Sequence, residues 1–304
     1  MAMIPALFSV SYAGLWGQAR LDLKDFFHKA AELGYRAVEL MGKRPHLSMF
    51  DTGADDLAKL KEAAEALGLE IATIAGYTDF TAGKTAPEVP FIEMQAAYVD
   101  HLARAGRQLG AKIVRVFTGY TTDAESAQGD WEKCVRAVRE CAEAAARQGL
   151  VLGVQNHHDV AVSPDAYLEF LQDVNHPNCR AMFDPWAPAL QGEDLYQCAK
   201  QMAPYMVQTT LADYVRLKRH AYMPGLINYR ELPAMVRAVP LGEGFLDLEG
   251  FFAGLKEGGF SGYVAYEMCS PLRGGGNLGN LDATARKSLE KIDALIAASP
   301  SSCS

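Results

Sequence analysis

Two carboxylates end apolar runs in the second half of this 304-residue chain. Glu267 follows the run 262–266, and Asp184 ends the run that begins at Arg180. A carboxylate at the end of a buried strand is costly unless it meets a partner, a metal or a substrate. Such groups can also transfer protons or bind a divalent cation. The two residues therefore predict a functional site.

Further proton-handling side chains follow a third apolar run, residues 150–156. Gln155, His157 and His158 stand at its end. Neighbouring residues of a strand point to opposite faces, so one of the two histidines is expected to face inward. His157 is favoured because it is in phase with Gln155, while His158 could act from the following loop. These residues extend the predicted site.

Eight strand patterns, nearly all followed by an amphipathic helix, must position these groups. Alternating strands and helices imply a parallel sheet, and eight such units close most simply into a barrel. An open doubly wound sheet is the alternative, but residues 14–17 do not form its GxGxxG turn. We therefore predict an α/β fold, a (β/α)8 barrel that forms a single domain over residues 1–304. The strand patterns cover 4–12, 35–40, 69–75, 112–117, 150–156, 180–184, 206–211 and 263–268.

Glycines and one long stretch divide these units. Glycine recurs where a helix gives way to a strand, which predicts left-handed helix ends there. The stretch 213–244 has no regular pattern, and we interpret it as a functional insertion of about 213–246, a lid or a substrate wall. The helix-ending glycines are Gly34, Gly68, Gly110, Gly149 and Gly259.

The carboxyl ends of barrel strands form the active face, so the residues that end each run are expected at one mouth. Besides the groups above, this set includes one arginine and two tryptophans. The expected mouth residues are Tyr12, Trp16, Glu39, Arg115, Phe117, Gln155, Asn156, His157, His158, Asp159, Asp184, Trp186, Gln208, Thr210, Asp213 and Glu267.

Composition excludes several classes of protein. Apolar residues make up 49% and charged residues 22% of the chain, which allows a large core and argues against disorder. A net charge of −8 without a Lys/Arg run makes nucleic acid a poor partner. No apolar stretch predicts a membrane span or a secretory leader. Six cysteines without a CxxC pair favour reduced thiols and a cytoplasmic location.

The chain resembles the xylose isomerase-like barrels, a group that includes sugar isomerases, keto-sugar 3-epimerases, inosose dehydratases and endonuclease IV. The resemblance spans nearly the whole chain, and its most specific part runs from Gly242-Glu243-Gly244 to Glu267. The other matching segments are 152–157, 182–184 with Gly192 and Asp194, and 210–213.

The family's usual divalent site takes Glu, Asp, His and Glu from the last four strands. Asp184 and Glu267 match it, whereas Gln155 and Thr210 stand where Glu and His are expected. The resemblance implies a metal bound by Gln155, Asp184 and Glu267, and an oxygen set suits Mn²⁺ or Mg²⁺. The alternative is a metal-free pair, because two close carboxylates resist ionising together.

The resemblance implies a sugar isomerase or epimerase that abstracts a proton alpha to a carbonyl. Glu267, His157 and Asp184 are the expected catalytic residues. The substrate would contact Trp16, Arg115, His158 and Trp186, although each tryptophan could simply pack and Arg115 could pair with Glu39.

Two other functions stay open: a lyase, dehydratase or hydratase on a keto-glycoside or keto-inositol, and a sugar-binding barrel that has lost its metal. The expected partner is a small carbohydrate, and assembly into a homo-oligomer is left open. The negative charge argues against a nuclease.

Overall fold

A computed structural model describes residues 3–84, 86, 88–120 and 126–298. Cys303 and both ends of the predicted domain lie outside these residues. The strands of the described residues are β1 Ile4–Phe8, β2 Ala37–Met41, β3 Glu70–Ala75, β4 Ile113–Val116, β5 Val151–Gln155, β6 Cys179–Met182, β7 Met206–Leu211, β8 Asp213–Met223, β9 Asn228–Val239 and β10 Tyr263–Tyr266. Eight of them are parallel and close into a barrel in the order β1-β10-β7-β6-β5-β4-β3-β2, which confirms the predicted (β/α)8 fold.

Helices on the outside of the barrel cover its strands. Their apolar stripes supply large buried side chains, such as Phe26 and Phe27 from the first helix and Phe251 and Phe252 from the eighth. Burial of these rings away from water is the main force that holds the layers together. The helices are α1 Leu23–Leu33, α2 Ala54–Ala66, α3 Phe91–Leu109, α4 Ala127–Arg147, α5 Pro164–Val174, α6 Trp186–Gln191, α7 Leu195–Met202, α8 Leu248–Glu257 and α9 Leu278–Ala297.

The predicted glycine positions are confirmed at the helix-to-strand turns. Gly34 caps α1 with a φ of 96°, and its backbone N–H reaches the carbonyls of Ala30 and Ala31. A side chain in that left-handed conformation would be strained, which is why glycine is used there. The other four, Gly68, Gly110, Gly149 and Gly259, also have positive φ angles.

The segment after β7 differs from the prediction of an irregular stretch. Strands β8 and β9 form an antiparallel ribbon, with Asp213 paired to Val239 at its base and Met223 to Asn228 at its tip. Most of its side chains are exposed. Pairing between the two strands satisfies their facing backbone groups, and near the base Ala238 also bonds the backbone of Pro271 and Arg273. The alternation of apolar and polar residues over 215–218 is a short signal that favours a strand.

Asp213, which was expected at the mouth, instead anchors the base of this ribbon. Its Oδ2 accepts hydrogen bonds from the backbone N–H groups of Gly242 and Gly244, each over 2.9 Å. The expectation was wrong because strand β7 ends at Leu211, two residues earlier. Among the described residues, no helix is long and apolar enough to span a membrane.

Candidate active site

A central cavity of about 320 Å³ opens at the carboxyl ends of the barrel strands. Glu267 reaches it because strand β10 ends one residue earlier and the backbone N–H of Glu267 still bonds to the carbonyl of Leu211 over 3.0 Å. The carboxyl group therefore has a fixed position at the barrel mouth. The cavity is also lined by Trp16, Lys43, Tyr77, Arg115, Phe117, Tyr120, His157, His158, Trp186, Tyr214, Cys269 and Ser270.

The carboxyl group of Glu267 is unusually basic. Loss of water around it, followed by the negative charge of Asp184, raises its pKa to about 8, although Arg115 acts in the opposite direction. The Cys269 thiol donates a hydrogen bond from Sγ to Oε1 over 3.4 Å. A carboxyl group with this pKa exists in both protonation states near neutral pH, so it can accept and return protons there.

Arg115 brings a permanent positive charge to the opposite side of the same cavity. Its strand, β4, stands four positions from β10 in the ring of eight, which is the opposite position. The guanidinium is 1% exposed, and it lies 4.3 Å from the ring centroid of Phe117 and 4.9 Å from that of Tyr77. Aromatic faces stabilise a cation that has left bulk water.

Gln155 connects this arginine to Asp184. Arg115 Nη1 donates to Gln155 Oε1 over 2.8 Å, and Gln155 Nε2 donates to Asp184 Oδ2 over 2.7 Å. Asn156 bonds the backbone of Asp184 in both directions, through Oδ1 and Nδ2. Asp184 is therefore held in place by its neighbours, and it lies behind the residues that line the cavity. Burial raises its pKa to about 6.

Tyr12 and Glu39, which were expected at the mouth, also lie elsewhere. Tyr12 is buried beside Phe26, and its hydroxyl donates to Asp282 of α9 over 3.0 Å. Strand β1 ends at Phe8 and a 3-10 turn follows, so the run 4–12 is not one continuous strand. Glu39 lies inside the barrel, where its Oε2 accepts from Gln208 over 2.6 Å.

The interior around Glu39 forms a polar layer beneath the cavity. Gln208 Oε1 accepts in turn from the Thr73 hydroxyl, and Arg115 Nη1 lies 3.8 Å from Glu39 Oε1. Burial raises the pKa of Glu39 to about 7, while Arg115 and the bond from Gln208 lower it. Gln208 was also expected at the mouth, but its side chain lies in this layer inside the barrel. Thr210 is buried too, and its Oγ1 has no hydrogen-bond partner among the described residues.

Both histidines reach the cavity, which corrects the expectation that only one would. Their ring centroids are 5.3 Å apart, and each ring lies within 5 Å of the Phe117 ring. Strand β5 ends at Gln155, so the alternation of faces stops before His157. Loss of water around each ring lowers the pKa of both to about 4. Both imidazoles are therefore neutral at pH 7 and can each donate and accept one hydrogen bond.

The cavity wall also carries polar atoms that have no partner among the described residues. These atoms are buried, and in folded proteins such groups almost always bond to something. Trp16 and Trp186 both lie in this wall, and their stacking on a ligand stays a prediction. The unpartnered atoms of the lining residues are Arg115 Nε, His158 Nδ1, Trp186 Nε1 and Ser270 Oγ.

A second space, the side chamber, adjoins the central cavity and measures about 750 Å³. It lies between the segments that follow β2 and β3 and the first turn of α3. Sequence reasoning missed it, and it missed Lys43 and Tyr77, which line both spaces. Each of these two residues stands two positions after the end of its strand, a spacing that could have identified them.

Comparisons with known proteins agree with this architecture. A family model described as "Xylose isomerase-like TIM barrel" matches residues 27–295. This chain belongs to that family. The predicted family membership is therefore confirmed.

Curated and solved relatives of this family are similar over nearly the full chain. Fructoselysine 3-epimerase of Shigella flexneri is 23% identical over 295 residues, which cover 92% of this chain and 95% of the relative. The structure of D-psicose 3-epimerase from Clostridium cellulolyticum H10, solved with D-tagatose, superposes with a TM-score of 0.75 at 16% identity, over 97% and 100% of the two chains. The IOLI protein, solved with a bound zinc atom, gives 0.71 at 15% identity over 97% and 98%.

Proposed function

We propose that this protein is an epimerase or isomerase that removes a proton from the carbon beside the carbonyl of a keto-sugar. The observation that carries the proposal is the carboxyl group of Glu267, which lines the central cavity and has its pKa raised to about 8. A carboxylate of that basicity accepts a proton from carbon more readily than a solvated one. The names of the curated and structural relatives, which are sugar 3-epimerases, support the same reaction class.

Arg115 and the histidines supply the remaining chemistry. Removal of the proton places negative charge on the former carbonyl oxygen, and the Arg115 guanidinium in the opposite wall stabilises that charge. His157 is neutral and exposed to the cavity, so it can donate a hydrogen to this oxygen or carry the proton to carbon. Return of the proton to the other face of the same carbon gives the epimer, and return to the neighbouring carbon gives the isomer.

Asp184 takes a positioning role in this proposal. Its carboxylate orients the Gln155 amide, which in turn bonds the guanidinium of Arg115. Its charge also raises the pKa of Glu267. Asp184 therefore raises the pKa of Glu267 and helps to position Arg115, without contacting the substrate.

The wall of the cavity suits a polyol. Trp16 and Trp186 offer flat faces for the C–H side of a sugar, and His158 offers an unpartnered nitrogen at Nδ1. Hydroxyl groups of a sugar would satisfy this nitrogen and the other unpartnered buried atoms. These residues are the proposed substrate contacts.

The residues at the site do not form the metal centre that the family resemblance implies. Among the residues that the structure describes, no three His, Cys, Asp or Glu side chains are grouped to hold a metal. Gln155 turns an N–H toward Asp184 and its oxygen toward Arg115, so binding of a metal by this residue would require its amide to rotate. Binding of Mn²⁺ or Mg²⁺ by Gln155, Asp184 and Glu267 stays a prediction.

Exchange of hydrogen with solvent tests the proposed function. The protein is incubated in D₂O with D-fructose, D-psicose, D-tagatose and 1-amino-substituted fructoses, and proton NMR follows the signal beside the carbonyl. We expect loss of that signal and appearance of an epimer or isomer. Loss of a substituent from the sugar would show the lyase alternative. Absence of exchange with every keto-sugar would overturn the proposal and favour the non-catalytic barrel.

A further inference from the structure

The side chamber adjoins the central cavity. The two spaces share a wall made of Lys43, Tyr77, Phe117, Tyr120 and His158. The chamber has more than twice the volume of the cavity, about 750 against about 320 Å³. A ligand whose reactive part sits beside Glu267 can therefore extend directly into a larger space.

The wall of the chamber exposes an unusual group of large apolar side chains. Phe50 is 81% exposed, Met94 57%, Tyr120 47% and Met49 37%, and all four line the chamber. Isolated exposed apolar residues are common, but a cluster in one concave surface indicates a binding site. Covering these side chains with an apolar ligand removes their surface from water, which is favourable.

Two charged groups of the chamber, Arg44 and Asp79, are engaged with neighbouring residues. Arg44 forms a two-point ion pair with Asp51, with both bonds at 2.6 Å. Asp79 Oδ1 accepts from the backbone N–H and the hydroxyl of Thr81, over 3.1 and 2.6 Å. Lys43 is the other charged side chain of the wall, and it stands at the junction with the central cavity.

Aromatic faces stand at the junction of the two spaces. The rings of His158 and Tyr120 stack with centroids 4.1 Å apart, and Phe117 lies 4.4 Å from His158. The Lys43 ammonium lies 3.9 Å from the centroid of the Tyr77 ring. A planar, apolar group entering the chamber would meet ring faces and methionine sulfur, which are favourable contacts for an aromatic ring.

We propose that the side chamber binds an aromatic substituent of the substrate, so that the substrate is an aryl-substituted keto-sugar and not a free monosaccharide. This inference rests on the proposed function for the sugar part of the ligand. The apolar and aromatic lining of the chamber indicates that the other part of the ligand is an aromatic group.

A set of three related sugars tests the inference. The probes are fructose, 1-deoxy-1-(methylamino)fructose and 1-deoxy-1-(phenylamino)fructose, and deuterium exchange gives kcat/KM for each. We expect kcat/KM for the phenylamino sugar to exceed that for the methylamino sugar by about tenfold or more, as a filled apolar pocket allows. Equal values for the two amino sugars would overturn the inference.

Variants locate the effect in the chamber. Phe50→Ala combined with Met94→Ala should lower kcat/KM for the phenylamino sugar about fivefold or more, and leave the methylamino sugar within about twofold. Ala82→Trp, which fills the chamber from its rim, should do the same. Leu190→Ala is the control, because Leu190 is 46% exposed and lines neither space. Equal losses for both sugars would indicate a structural role and contradict the inference.

Binding measurements separate this inference from the proposed reaction. If none of the sugars exchanges deuterium, the proposed function fails, and calorimetry of the same sugars still tests the chamber. Tighter binding of the phenylamino sugar that Ala82→Trp abolishes would support the inference, and equal binding would overturn it. A dimer in light scattering that Phe50→Ala dissociates, with no preference among the sugars, would show that a second copy of the chain covers the chamber.

Discussion

The side-chain amide of Gln155 donates a hydrogen bond to Asp184 Oδ2 over 2.7 Å. Its oxygen faces the guanidinium of Arg115 at the same time. These two neighbours of opposite charge fix the direction of the amide, because a cation needs an acceptor and a carboxylate needs a donor. An N–H group and an arginine thus stand beside a carboxylate that the family resemblance assigns to a metal.

Replacement of Gln155 by Glu is expected to create a divalent-metal site. The change removes the N–H that faces Asp184 and supplies a third carboxylate near Glu267, and hard cations prefer such oxygen sets. Calorimetry with Mn²⁺ should show affinity at least about tenfold higher for Gln155→Glu than for the natural protein. Gln108→Glu, at an exposed position on α3, serves as the control. Equal affinities of all three proteins would contradict the expectation.

Loss of the Glu267 carboxylate is expected to remove proton exchange. Glu267→Gln keeps the size of the side chain but cannot accept a proton, and general-base catalysis typically contributes about 10²- to 10⁴-fold. The rate of deuterium incorporation should fall by that factor while thermal unfolding shows an intact fold. Glu62→Gln, at an exposed position on α2, should leave the rate unchanged. A rate within about threefold of the natural protein would assign the base to another residue.

The pH dependence of exchange should report the ionisation of Glu267. Its pKa is raised to about 8, and only the ionised form accepts a proton, so kcat/KM should rise with pH up to about 8 and then level. Asp184→Asn removes a negative charge that raises this pKa, so the rising limb should move to lower pH. Asparagine can still accept the hydrogen bond from Gln155, which preserves the local geometry. If the rising part of the pH profile does not move in Asp184→Asn, Asp184 does not raise the pKa of Glu267.

Stability at acidic pH should depend on His46. Its Nε2 faces the carbonyl of Leu21 at 3.1 Å and its Nδ1 faces the Ser9 hydroxyl at 3.0 Å, so the neutral ring carries its hydrogen on Nε2. Burial lowers the pKa of the ring to about 4 from a model-peptide value near 6.5. Between these values the unfolded chain binds a proton that the folded protein does not, so stability falls as pH decreases through this range.

The expected loss from His46 is on the order of 3 kcal/mol between pH 7 and pH 4. Urea unfolding at a series of pH values measures it. His46→Asn should flatten this part of the profile, whereas His28→Asn, at an exposed position on α1, should not. An unchanged slope in His46→Asn would show that other groups cause the acid sensitivity.

Local patterns in the chain were enough to predict the barrel. The alternation of strand and helix signals, with glycine at the turns, is set by residues that are neighbours in the sequence. It therefore predicts the same helices and strands in any arrangement that buries their apolar faces. The same patterns placed Gln155, Asp184 and Glu267 at the ends of strands β5, β6 and β10. Because the carboxyl ends of the strands of a parallel barrel all lie at one face, the sequence also predicted that these three side chains would lie near one another.

Contacts between residues far apart in the sequence decided the rest. Side chains beyond a strand end no longer alternate, so both histidines face the cavity and Asp184 lies behind Gln155. The direction of the Gln155 amide depends on Arg115, forty residues away along the chain. The side chamber likewise forms only where the segments after β2 and β3 meet helix α3. Sequence alone therefore determined which groups could act. Tertiary packing determined which of them line the cavity, because the burial and the charged neighbours of each group come from elements that are distant in the sequence.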